Sequence, residues 1–129
     1  MLAPGRTKNG RQHEVPLSAQ ALAILERLPR RNSSDFVFGR RGFSIWAVAK
    51  AKLDQRAGIA DWHLHDLRRS AATYMAELKV QPHIIEAVLN HVSGQKAGVA
   101  GVYNRAKYSD EMREALQRWA DWLERVANG

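Results

Sequence analysis

The C-terminal stretch constrains the fold more than any other part of the chain. Met112, Leu116, Trp119, Leu123 and Val126 recur alternately four and three positions apart, which lays one apolar stripe along an amphipathic helix. The spacing predicts a helix from about Asp110, with Ser109 as its cap. Such a stripe has to be covered, by the chain's own core or, alternatively, by a neighbouring protomer.

Helical patterns recur upstream. Ser18 is placed to cap a helix over 19–28 that Pro29 ends, with Leu22, Leu25 and Leu28 on an inward stripe. Phe36-Val37-Phe38 reads as a short buried strand or extended segment, and Gly39-Arg40-Arg41-Gly42 as a turn. Ser44 is expected to cap a helix over 45–57, with Ile45, Val48, Ala49 and Leu53 inward and Lys50, Lys52 and Arg56 outward. Leu67, Ala71, Tyr74, Met75 and Leu78 fall at helical spacing. Pro82 then suits the first turn of a further helix, whose apolar side is Ile84, Ile85, Val88 and Leu89 and whose end is Asn90-His91. The following loop, 92–98, holds glycines and is expected to move. Near the N-terminus, Asn9-Gly10 is a hairpin-turn signal because both residues accept positive φ. Glu14 to Leu17 reads as an extended segment. The strand that should precede the turn is nearly missing, so the segment is either half a hairpin or a frayed terminus. The expected class is mainly α with a small β-hairpin or sheet near the N-terminus.

Length and charge narrow the function. The chain of 129 residues is one domain or part of one, and its 20 Lys and Arg against 13 Asp and Glu give a net charge of +7. That balance favours a polyanionic partner such as nucleic acid, with an anionic membrane surface as the competing reading. The charges are spread along the chain, which points to a folded basic surface instead of a charged tail. Cysteine is absent, so this chain offers no disulfide, thiol nucleophile or thiolate metal site. No apolar run reaches membrane-spanning length and no secretion signal is recognisable, so a cytoplasmic protein is expected.

The chemistry concentrates in His63-Leu64-His65-Asp66-Leu67-Arg68-Arg69. His65 and Arg68 stand one helical turn apart, so they can grip one anion together. The guanidinium fork matches two phosphate oxygens, and the imidazole can donate a hydrogen bond or move a proton near neutral pH. An ordinary solvated, basic helix start is the competing reading. His63 and His65 are two apart and project differently from a helix, and no His-x-x-x-His pair appears, so no metal site is expected.

Four pieces in order carry a resemblance: Lys8 in a Thr-Lys-Asn-Gly turn, His65-x-x-Arg68, Leu89-Asn90-His91 after a helix, and Tyr103 twelve residues later in Val102-Tyr103-Asn104-Arg105. Together they make the chain resemble the tyrosine recombinases, the phage-integrase family, from about Arg6 to Leu123. Asn90 stands where that family usually has glycine, and the gap to Tyr103 is slightly long. The family's further arginine has no counterpart upstream of Lys8, and its separate DNA-gripping domain is missing as well. Residues 1–129 are therefore expected to form the C-terminal part of a catalytic domain, weak or inert alone.

The resemblance implies metal-free DNA strand cleavage and rejoining through a 3′-phosphotyrosyl link, with no cofactor. Tyr103 would be the nucleophile, His65 the general base, Arg68 and His91 the phosphate ligands, and Lys8 the proton donor to the departing 5′ oxygen. Tyr108 is the rival nucleophile, disfavoured because it abuts the last helix. Tyr74, Trp119 and Trp122 are expected to be packing residues, and His13 and His83 surface residues. Arg6, Arg11, Arg40, Arg41, Lys50 and Arg69 are the candidate contacts to the backbone of double-stranded DNA, although Arg69 could equally form a salt bridge. By the same resemblance the full-length protein is a tetramer on two duplexes, and the short chain could be a monomer. The competing functional reading is a basic DNA-binding module without chemistry, such as a decayed remnant. A type IB topoisomerase-like enzyme is a more distant third.

Overall fold

The computed structural model describes residues 1–10, 12–30, 36–38, 44–91 and 108–129. Among these, five α-helices follow one another: α1 (Ala19–Glu26), α2 (Trp46–Ala57), α3 (Leu64–Glu77), α4 (Pro82–Val88) and α5 (Ser109–Asn128). The mainly helical expectation holds.

The core lies where α3, α4 and α5 meet. Met75, Val80, Ile84, Ile85, Val88, Met112 and Ala115 form one buried cluster, with Leu78, Leu89, Leu116 and Trp119 packed against its edge. Each large side chain taken out of water here contributes about 1.5–3 kcal/mol. The α3–α4 connection is short because its turn is closed tightly. Lys79 takes φ 63°, the Lys79 N–H donates to the Ala76 carbonyl at 2.9 Å and the Val80 N–H to the Met75 carbonyl at 3.0 Å. This is the glycine-type helix ending made by a lysine, and it drops Val80 onto Met75. Pro82 then starts α4 at its first position, as expected.

α5 is the common wall of the fold, receiving α1, α3 and α4. Tyr74 of α3 stacks on Trp122 (ring centroids 4.3 Å apart) and Trp119 (5.9 Å), so these aromatics are packing residues. The Arg118 guanidinium donates to the Leu78 carbonyl and so closes the end of α3 from outside. α1 docks by different means. Ser18 caps it, accepting from the Ala21 N–H at 3.3 Å, while Gln117 of α5 accepts from the Ala19 N–H at 2.9 Å. Gln20 reaches Asp121 (2.8 Å) and Glu124 (3.0 Å).

Several expectations are corrected. α1 buries no residue, and Leu22 and Leu25 are exposed, because polar side chains carry its contact with α5. Ile45, Val48 and Leu53 of α2 also face solvent. α2 begins at Trp46 with Ile45, not Ser44, at the cap, and α5 takes Ser109 as its first residue with Tyr108 at the cap. In both cases the chain turns into the helix one residue away from the nearest hydroxyl, within the usual spread of helix boundaries. Phe36, Val37 and Phe38 are exposed and form no strand. The β structure among the described residues is a single antiparallel bridge, Leu2 with His13. It is held by Leu2 N–H to His13 O (2.7 Å) and His13 N–H to Leu2 O (2.9 Å). Pro4, which has no N–H, opens a 3-10 turn over Pro4–Arg6 and stops the ladder there.

Candidate functional site

The site is built from a helix start, a helix end and a turn. At the start of α3, the Asp66 carboxylate accepts the His63 N–H at 2.8 Å, satisfying one of the helix's orphan donors. That hydrogen bond, aided by the charge of Arg69, holds the Asp66 carboxyl below its ordinary range, against a smaller opposing effect of desolvation. Arg69 lies 3.6 Å from Asp66, with its side chain largely exposed. With this turn fixed, His65 and Arg68 project from successive turns of α3, both exposed.

At the end of α4, the Asn90 N–H donates to the Ala87 carbonyl (3.1 Å) and the His91 N–H to the Glu86 carbonyl (2.9 Å). Asn90 sits in the left-handed region at φ 51°, where glycine and, after it, asparagine are the residues best tolerated. The left-handed backbone at this position permits the asparagine but would suit glycine equally. This ending presents His91 at the exposed tip of α4.

Two side-chain links bring the pieces together. The Arg68 guanidinium donates to the Leu89 carbonyl, joining α3 to the tip of α4. A guanidinium has five N–H donors in a rigid plane, so spending one on a carbonyl fixes the fork and leaves donors for an anion. The second link runs to the turn near the N-terminus. Asn9 Nδ2 donates to the Asn90 carbonyl (3.2 Å) and to Asn90 Oδ1 (3.0 Å), and Asn90 Nδ2 donates to Asn9 Oδ1 (3.3 Å). The turn itself closes with Gly10 N–H to Thr7 O at 3.1 Å. Lys8 and Asn9 take the central positions and Gly10 follows at φ 65°, a variant of the expected Asn-Gly turn in which only the glycine is left-handed.

The structure thus gathers the Lys8 turn, Arg68 and the Leu89-Asn90-His91 segment, with His65 one turn from Arg68. Guanidinium, ammonium and imidazole groups are the residue types that can hold a phosphate and move protons at it. Tyr103, Arg11, Arg40 and Arg41 lie outside the described residues. Arg6 is exposed on the 3-10 turn. Lys50 is committed inward: its ammonium pairs with Asp54 (2.8 Å) and sits 4.6 Å from the Trp62 ring centroid. Trp62 Nε1–H also donates to Asp54 at 2.7 Å, and the Lys50 contact leads the causes that hold the Asp54 carboxyl low. Tyr108 is half-buried at the start of α5, its ring 5.1 Å from that of His83. His83 is exposed, as expected, whereas His13 is half-buried at the bridge. Sequence reasoning missed the connecting roles of Asn9 and Asn90. The one signal available was an asparagine where the resemblance has glycine.

Among the described residues no helix is long and apolar enough to cross a membrane, and no group of three His, Asp or Glu could hold a metal ion.

The profile of the phage integrase family matches residues 2–110. Prophage integrase IntA of Escherichia coli K12 is 36% identical over 129 residues, covering 96% of this chain and 31% of the relative. The integrase of Shigella phage Sf6 is 33% identical over 123 residues, covering 91% and 31%. Tyrosine recombinase XerA of Pyrococcus furiosus is 29% identical over 133 aligned positions, covering 95% and 44%. The chain spans about a third of the length of the first two of these relatives. No solved structure matches it.

Proposed function

The chain belongs to the phage integrase family, and from that premise we propose that it is the C-terminal part of the catalytic domain of a tyrosine-type site-specific DNA recombinase. Its substrate is double-stranded DNA in the cytoplasm, and the working form is a tetramer that brings two duplexes together. The observation that carries the reading is the convergence of the Lys8 turn, Arg68 and the tip of α4 through the Arg68–Leu89 and Asn9–Asn90 hydrogen bonds.

The chemistry follows from the residue types. Tyr103 Oη attacks the phosphorus, the bond to the 3′ side is kept as a phosphotyrosine, and the bond to the 5′ oxygen breaks. The phenol proton passes to His65, and the departing 5′ oxygen takes a proton from the Lys8 ammonium. A phenol ordinarily keeps its proton to about pH 10, which is why a base beside it matters. Arg68, its plane fixed by Leu89, and His91 hold the non-bridging oxygens and stabilise the charge that grows on them in the five-coordinate transition state. Loss of one such donor costs about a hundred- to a thousandfold in rate. The covalent link conserves the bond energy, so rejoining is the same path reversed. Arg6, Arg11, Arg40 and Arg41 add salt-sensitive contacts to the DNA backbone.

The test is covalent trapping on a nicked suicide duplex, run with the chain and with a version extended upstream to carry the family's further arginine. A phosphotyrosyl adduct that disappears in Tyr103→Phe, while salt-dependent DNA binding stays, supports the recombinase. Binding without an adduct in either form makes the non-catalytic DNA-binding module the better reading.

A further inference from the structure

We infer that Asn9 and Asn90 are positioning residues, whose reciprocal amide pair holds the Lys8 turn against the tip of α4 so that the Lys8 ammonium stands beside the departing oxygen. The inference rests on the recombinase reading above.

The turn gives Lys8 little support of its own. Residues 8–10 are exposed, and the core cluster contains nothing from the N-terminal segment. A four-carbon stem on such a turn would carry its ammonium through many positions. The hydrogen bonds from Asn9 at 3.2 and 3.0 Å, and back from Asn90 at 3.3 Å, join residues 81 positions apart in sequence. They connect the turn to the place where Arg68 and His91 also stand. Asn90 would meet its backbone requirement as well or better as glycine, since φ 51° is strained for a side chain. The amide is therefore explained by what it grips and not by the helix ending. A proton donor held in register gains over one that must be found by diffusion of a loop, and a displacement of about 1 Å can cost about a hundredfold in rate.

The experiment is single-turnover cleavage of the same suicide duplex by wild type, Asn9→Ala, Asn90→Gly, Lys8→Ala and the Lys8→Ala/Asn90→Gly double variant, in whichever form of the protein yields the adduct. Each is measured on an ordinary phosphodiester and on one whose departing 5′ oxygen is replaced by sulfur. A thiol ionises near pH ~8.5, whereas a hydroxyl is nearer ~15.7, so sulfur leaves without a donated proton. Asn90→Gly keeps the left-handed backbone and removes only the amide. Expected is cleavage about ten- to a hundredfold slower on the oxygen substrate. Rates on the sulfur substrate should stay within about twofold of wild type, and Asn90→Gly should add no loss to Lys8→Ala. Equal slowing on both substrates, no slowing at all, or full additivity with Lys8→Ala overturns the positioning role and leaves the recombinase standing. A wild type that gives no Tyr103-dependent adduct overturns the recombinase reading, and this inference with it.

Discussion

α3, α4 and α5 enclose the core of the described chain, while α1 and α2 bury none of their residues. Both regions are helical, and both carry apolar stripes in the sequence. The difference is in what meets those stripes. Met75 is fully enclosed, whereas Trp46 and Leu53 keep about half their surface in water (57% and 49% exposed). The candidate site straddles this divide. Arg68, His65 and His91 project from the packed half, and Lys8 sits on a turn held by side-chain amides. Arg68, His65 and His91 thus stand on or beside helices that the core fixes, and Lys8 on a turn that the Asn9–Asn90 contact holds.

The contrast can be broken most severely from inside the core. Met75→Ala should cost about 2–5 kcal/mol, whereas Leu53→Ala on α2 should stay within about 0.5 kcal/mol. Urea melts followed by helical circular dichroism compare the two, and equal costs would erase the distinction. A smaller effect is expected at the α1–α5 junction. Gln117→Ala removes the acceptor for Ala19 and the donor to Asp121, at about 0.5–1.5 kcal/mol per bond. Amide exchange should quicken in α1 and stay unchanged in α3 and α4. Lys79→Gly acts in the other direction: relief of φ 63° outweighs the freer unfolded chain and stabilises the packed half by under about 1 kcal/mol. A fall in its melting temperature would refute the strain argument.

The smallest effect is in acid. Asp121 is held low by hydrogen bonds from Gln20 and then Gln117, and Asp66 by the His63 N–H. For both, the folded protein favours the ionised form. The contribution is therefore complete above the ordinary aspartate range of about pH 4 and is lost as pH falls through the lower folded value. Both carboxylates are exposed, so the loss should be modest. It should appear as α1 loosening and as fraying of the first turn of α3 as pH falls below about 4, and Asp121→Asn should flatten the α1 response.

Legibility followed the kind of signal. Ser18 capped its helix and Pro82 opened its helix where expected, because both act within one turn of backbone. Ser44 and Ser109 carried the same hydroxyl signal and cap nothing, since Ile45 and Tyr108 take those places. Met112 is buried, but Leu123 and Val126 at the far end of the same stripe are exposed: periodicity names a face and says nothing of how far a partner runs along it. His65, Arg68 and His91 could be picked out by motif spacing. Asn9 could not, because its partner lies 81 positions away.

The sequence by itself determined the helical elements, the basic character and the family, all of which depend on residue type and local spacing. Only the tertiary structure decided which stripes are covered, that Lys50 faces Asp54 and Trp62, and that the Lys8 turn meets the tip of α4 through Asn9 and Asn90. These depend on contacts between segments far apart in the chain, and such contacts are set by the packing of α3, α4 and α5 as a unit.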